Sequence, residues 1–230
     1  MADILILHGW GSCAKNWRKV KDTLEKEEHK VFLPDLPGFG ESSALVRLWS
    51  MDDYIDWVRN FCLNNNLSQF VLLGHSFGGG IAAKYALKFP KELKKLILVD
   101  AAIIRVKDPG KEVMAKIAKI IKTFSFLPFY SFIRRAFYKF MVKSDYPDTE
   151  GVMRETYLKA VRTDISGTIS SISCPTLLIW GEKDDITPLK DAYLIKERIK
   201  GAKLEILPDI RHNPQSENPE LLVQTIVKHI

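Results

Sequence analysis

Short runs of Ile, Leu, Val and Phe recur along the chain, without the polar alternation that marks a strand with one wet face. They fall at Ile4 to Leu7, Val31 to Leu33, Phe70 to Leu73, Leu96 to Val99, Thr176 to Trp180 and Leu204 to Leu207. Runs this short and this continuously apolar predict strands covered on both sides. Between them lie longer stretches with helical spacing, near Trp17 to Glu28, Asp52 to Asn64, Ser76 to Phe89, Leu189 to Lys200 and Asn218 to His229. Strands taking turns with helices predict an α/β fold, a mostly parallel sheet with helices on both faces. Chemistry in such sheets gathers beyond the carboxyl ends of the strands.

One segment departs from this rhythm. From Arg105 to Arg162 there is no strand pattern, only basic and aromatic helical stretches such as Lys111 to Phe124 and Phe129 to Lys143. We expect a helical cap at 103–164, inserted between core segments 1–102 and 165–230. Pro109-Gly110 marks its entrance and the serine-rich Ser166 to Ser173 its exit. Residues 105–162 hold 13 Lys and Arg against 6 Asp and Glu, a net +7, while the whole chain carries +6. The cap is therefore the basic element, and the rest is close to neutral. It also has 10 of the 24 aromatic residues. That mixture suits an apolar underside over an active site and a cationic outer face. Such a face is commonly just solvated; alternatively it attracts an anionic substrate, an acidic protein or a phospholipid surface.

At 230 residues and 46% hydrophobic, the chain can build one sizeable core with an insertion. Its apolar runs fall far short of the roughly 20 residues of a membrane span, and nothing N-terminal has the pattern of a cleavable signal peptide. We expect no transmembrane segment and no nucleic-acid partner. Cys13, Cys62 and Cys174 are odd in number and lack metal-ligand spacing, which points to reduced thiols and a cytoplasmic location.

The chemistry centres on Gly74-His75-Ser76-Phe77-Gly78, which lies between an expected strand and an expected helix. This is G-x-S-x-G in the context that exposes a serine at the tip of a sharp turn, so Ser76 is the candidate nucleophile. The alternative is a glycine-rich turn whose serine only caps a helix. A serine hydroxyl needs a base, and the base needs an orienting carboxylate. Asp184, in the turn after Thr176 to Trp180, is the preferred acid; Asp185 and Asp100 compete. His212, after Leu204 to Leu207, is the preferred base, ahead of His8, His29, His75 and His229. The amides of Phe77 and Trp10, the latter in His8-Gly9-Trp10-Gly11, are candidate oxyanion donors. For that tetrapeptide the alternative is a tight turn with a packed tryptophan. Phe124, Phe126, Phe129 and Phe132 of the cap are candidate substrate contacts.

His8 to Gly11, Asp35 to Ser42, Gly74 to Gly79, Gly181 to Pro188, and His212 with Glu217 to Glu220 together resemble the α/β-hydrolase family. The spacings G-x-x-D-x-x-x-P and H-x-x-x-x-E-x-P resemble that family's acid and histidine loops, which favours Asp184 over Asp185. The resemblance covers essentially everything outside the cap. It implies a Ser76, Asp184 and His212 triad acting without a metal or organic cofactor. Ser76 argues against the haloalkane dehalogenases and epoxide hydrolases, which resemble this chain but use an aspartate nucleophile. The resemblance leaves a serine carboxylesterase acting on a small-molecule ester as the leading expectation. Thioesterases, lipases, amidases, carbon-carbon bond hydrolases and triad-bearing ligand-binding or signalling proteins remain as alternatives. The HGWG and DLPGFG segments look most like pimeloyl carrier-protein methyl ester esterases, whose basic cap receives an acidic carrier protein. On that resemblance Arg134, Arg135, Lys139, Lys143 and Arg154 would dock the carrier. His75 and Phe77 depart from the Trp and Leu found there.

Overall fold

The computed structural model of the chain describes residues 1–104 and 151–230. Six strands form one sheet: β1 (Asp3–Leu7), β2 (Lys30–Phe32), β3 (Phe70–His75), β4 (Leu93–Val99), β5 (Thr176–Gly181) and β6 (Lys203–Leu207). Their order is β2-β1-β3-β4-β5-β6, and every neighbouring pair is parallel. The chain steps outward from β1 to β2, then crosses back to β3 on the other side of β1. That reversal opens a crevice beyond the carboxyl ends of β1 and β3, the place where open α/β sheets bind ligands.

The sheet needs no polar alternation because both faces are covered. Ile4, Ile6, Val71, Leu73, Ile97, Val99, Leu177 and Ile179 point one way. There they meet Val20 and Leu24 of α1 (Arg18–Lys26) and Leu222, Val223 and Ile226 of a C-terminal helix, Pro219–Val227. Leu5, Leu7, Leu72, Leu96, Leu98, Leu178 and Trp180 point the other way. They pack on α2 (Met51–Asn64), α3 (Phe77–Lys88) and a helix at Leu189–Arg198. β-Branched residues dominate the first face and leucines the second.

The expected strands all form, each running at least one residue past its apolar run, β3 and β4 furthest, while β2 stops at Phe32, short of Leu33. β4 begins at Leu93 because Lys94 and Lys95 occupy its half-exposed start, where the sheet tolerates polar side chains. β3 runs on through His75. The expected first helix, Trp17 to Glu28, forms as α1, and a tight turn at Ala14–Trp17 leads into it. α2 starts at a capping box in which Ser50 accepts from Asp53 N–H and the Asp53 carboxylate accepts from Ser50 N–H.

Of the expected cap, the described part is chiefly helix α4, Gly151–Arg162. Tyr157 of α4 packs on Trp10 with ring centroids 5.0 Å apart, and the Thr156 hydroxyl accepts from Trp49 N–H at 3.2 Å. Met153 presses on Gly38, where a side chain would collide with its sulfur. The candidate contacts Phe124, Phe126, Phe129 and Phe132, and the basic residues Arg134, Arg135, Lys139 and Lys143, lie outside the described residues. Arg154 lies within α4.

Candidate active site

Ser76 is at the tip between β3 and α3, with φ 50° and ψ −113°. A non-glycine residue there carries strain of about 1–3 kcal/mol, sustained only where its surroundings over-determine it. They do so here. Ser76 N–H donates to Val99 O at 3.0 Å, and Ser76 O accepts from Ala102 N–H at 2.9 Å and Gly80 N–H at 3.2 Å. Gly78 makes the turn sterically feasible, since a Cβ there would strike the carbonyls of Leu7 and His8. The Ser76 side chain is left half-exposed among buried neighbours.

His212 sits in the loop after β6, brought over the sheet end by clamps on both sides. The Glu217 carboxylate, on a one-turn helix at Pro214–Glu217, accepts from Arg211 N–H at 2.9 Å and Asn213 N–H at 3.1 Å. From below, His75 Nε2 donates to the carbonyl of His212 itself at 2.7 Å. Burial pushes His75 down to about 3, with nearby His212 as the next cause, so its ring stays neutral and acts as a fixed donor.

The imidazole of His212 joins the other two candidates. Its Nε2 is 3.0 Å from Ser76 Oγ, and its Nδ1 is 2.7 Å from Asp184 Oδ2. Both His212 and Asp184 are buried. Asp184 also accepts from Ile186 N–H at 2.8 Å and Thr187 N–H at 3.0 Å on Oδ1, and from the Thr187 hydroxyl at 2.7 Å on Oδ2. Burial pushes this carboxyl up, but the hydrogen bonds and charge of His212, then those of Thr187 and Ile186, outweigh it and hold it below the ordinary aspartate value. With Nδ1–H donated to Asp184, Nε2 keeps a lone pair toward the serine hydroxyl. This arrangement can move a proton from Ser76 and stabilise the resulting imidazolium.

The competitors go elsewhere. Asp185 is exposed beside Asp184, and Asp100 is buried at the end of β4 without contacting the imidazole of His212. His8 is buried and neutral; burial lowers its proton affinity although Gly9 O and Asp35 raise it. It donates from Nδ1 to Gly9 O and accepts Leu36 N–H on Nε2, both at 2.9 Å, which ties the first loop to the second. Asp35 continues that tie, accepting from Ala14 N–H and Glu41 N–H. His229 pairs with Glu205 at the far edge. Trp10 packs edge-on against Phe39 and Phe77. Its loop passes next to the serine: a Cβ on Gly9 would sit 3.3 Å from Ser76 Cβ. Sequence reasoning missed Thr187 and the part played by His75. The threonine's one signal was its place three residues after Asp184, where a hydroxyl can fold back onto a carboxylate.

Residues 4–124 match the alpha/beta hydrolase fold family, just over half of the chain. The chain belongs to that family. Among its relatives, Lipase 3 of Moraxella sp. (strain TA144) is 27% identical over 93% of this chain and 72% of its own length. Human monoacylglycerol lipase ABHD6 is 26% identical over 97% of this chain and 74% of its own. A solved thermophilic esterase from Thermogutta terrifontis superimposes with a TM-score of 0.76 at 26% identity, covering 99% of this chain and 89% of that one. The protein is thus a hydrolase-fold member with lipase and esterase relatives. No helix among the described residues is long and apolar enough to cross a membrane.

Proposed function

We propose that the protein is a serine carboxylesterase that cleaves small to medium acyl esters through an acyl-enzyme, with Ser76, His212 and Asp184 as its triad. The observation that carries this reading is the unbroken line from Ser76 Oγ through both ring nitrogens of His212 to Asp184, at 3.0 and 2.7 Å. The lipase and esterase names of the relatives favour a carboxylic ester over other acyl derivatives.

In this mechanism His212 Nε2 takes the hydroxyl proton as Ser76 Oγ adds to the ester carbonyl, and Asp184 balances the imidazolium. The main-chain N–H groups of Phe77 and Trp10 receive the oxyanion. Phe77 suits that task as the first residue of α3, since its N–H has no acceptor within the helix and stands at the positive end of the helix dipole. The tetrahedral adduct collapses, and His212 hands its proton to the departing alcohol. Water, deprotonated by the same nitrogen, then attacks the acyl-enzyme and releases the acid. The segment between β4 and β5 serves as a cap. Its described helix already brings Tyr157 to the Trp10 cluster. We place the reaction in the cytoplasm, which fits three unpaired cysteines.

Ser76→Ala tests the reading directly. With p-nitrophenyl butyrate, kcat should fall by about 10⁴-fold or more, and labelling by a fluorophosphonate probe should vanish. A folded Ser76→Ala protein that kept near wild-type turnover would overturn it.

A further inference from the structure

At the carboxyl end of β4, beside the triad, Asp100 takes no part in the proton transfers just described. Its backbone is in the left-handed region at φ 44°, and its N–H donates to Ile179 O at 3.1 Å. The side chain is fully buried. Oδ1 accepts Gly181 N–H at 2.8 Å, whereas Oδ2 is shut off from solvent and faces no donor. An ionised carboxylate with an orphaned buried oxygen is costly. Here the cost is compounded, because the Asp184 carboxylate is near enough both to repel it and to accept a hydrogen bond from its acid form.

We propose that Asp100 is a neutral carboxylic acid in the working protein, donating its Oδ2–H to the Asp184 carboxylate and thereby acting as a positioning residue for the Asp184–His212 pair. The proposal rests on the triad reading given above. One proton then resolves two problems, giving the orphaned oxygen a hydrogen bond and limiting the cluster to a single negative charge. Thr187 makes room for it. Its hydroxyl has one proton and two acceptors, Asp184 Oδ2 at 2.7 Å and Asp100 O at 3.0 Å, so turning to the carbonyl frees a site on Asp184.

The charges around Asp100 agree in direction. Burial raises its proton affinity most, Asp184 in the loop after β5 and Glu217 near His212 raise it further, and only Gly181 N–H opposes them. His212 and His75 border Asp184 in turn. A second negative charge would hold a proton on the general base and keep it out of action up to a higher pH. A neutral Asp100 avoids this, while its hydrogen bond tempers the basicity of Asp184.

The test has two readouts. Infrared spectra are compared for Ser76→Ala and for Ser76→Ala/Asp100→Asn at about pH 8, some four units above the ordinary aspartate value. A deuterium-sensitive carbonyl stretch of a protonated carboxyl is expected in the first and absent from the second. The Ser76→Ala background makes this independent of whether Ser76 is the nucleophile. In the Ser76 protein, Asp100→Ala should move the acid limb of kcat/KM upward by about half to one pH unit, and Asp100→Asn, which keeps a donor, should bring it back to within about 0.3 unit. If neither Asp100→Ala nor Asp100→Asn folds, Asp100→Ser in the Ser76→Ala background takes their place, and the band should be lost there as well. No such band, or an acid limb that falls by a unit in Asp100→Asn, overturns the proposal.

Discussion

Asp100 and Asp184 follow adjacent strands, and both are buried, yet they differ in what points at them. Asp184 receives two main-chain N–H groups and an imidazole N–H, with the Thr187 hydroxyl 2.7 Å away, and it is held below the usual carboxylate range. Asp100 receives one main-chain N–H and is pushed well above that range, by burial first and by Asp184 next. Burial pushes both carboxyls up, and the donors aimed at Asp184 reverse that push where those at Asp100 do not, which sets which carboxyl holds charge against the histidine. The largest effect should come from breaking this contrast at the charged side. Asp184→Asn should lower kcat on p-nitrophenyl butyrate by about 10⁴-fold, because an amide can hold the wrong imidazole tautomer. Asp100→Asn should cost less than about tenfold, since its acid form is already neutral. Comparable losses from the two substitutions would mean that both aspartates act as anions.

Thr187 is the hinge of the contrast, since its hydroxyl touches Asp184, lies 3.3 Å from His212 Nδ1 and can also reach the carbonyl of Asp100. Thr187→Val keeps the shape and deletes the donor, so kcat should fall about tenfold with KM nearly unchanged. Thr187→Ser should restore most of the loss. A Val variant with wild-type kcat and a Ser variant with low kcat would show that the methyl group, and packing, is what matters.

The strands were readable from sequence because burial on both faces leaves uninterrupted apolar runs, as in Leu96 to Val99. The G-x-S-x-G turn was readable for a related reason. Only glycine fits against the Leu7 and His8 carbonyls at Gly78, so sterics write themselves into the residue type. The positions of Asp184 and His212 followed from the loops after β5 and β6, although choosing Asp184 over Asp185 required the family's spacing. Contacts made across the fold left no such trace. His75 bonds to the His212 carbonyl across 137 positions, and nothing in a histidine beside a serine specifies that partner. Asp100 was legible as a strand-end carboxylate, but its orphaned oxygen depends on three-dimensional neighbours. Glu217 lay within a recognised spacing, and its use as a clamp on both sides of His212 came only from geometry.

Stability carries the last prediction, and its sign separates the two carboxyls most clearly. Asp100, with its folded-state proton affinity raised, holds a proton that the unfolded chain releases above about pH 4. Its stabilising contribution is therefore complete below that pH and is lost as pH rises. Asp184, with its affinity lowered, behaves oppositely, contributing above about pH 4 and losing that contribution as pH falls through its folded value. His75 adds a slope of the same sense as Asp184 over a higher window. Lowered to about 3 by burial, it stays neutral in the folded state while the unfolded chain takes up a proton below about pH 6.5, so stability falls with acid between those limits. Between about pH 4.5 and 6.5 the Asp100 and His75 slopes oppose each other in the wild-type protein. Asp100→Asn removes one of them. Its stability relative to wild type should climb with pH across that window by up to about 1.4 kcal/mol per unit, a rise of roughly 3–5 °C in Tm. A thermal melting series at half-unit steps measures the slope. A difference that stayed level would put Asp100 with the ordinary ionised carboxylates and erase the contrast with Asp184, whatever the activity assays gave.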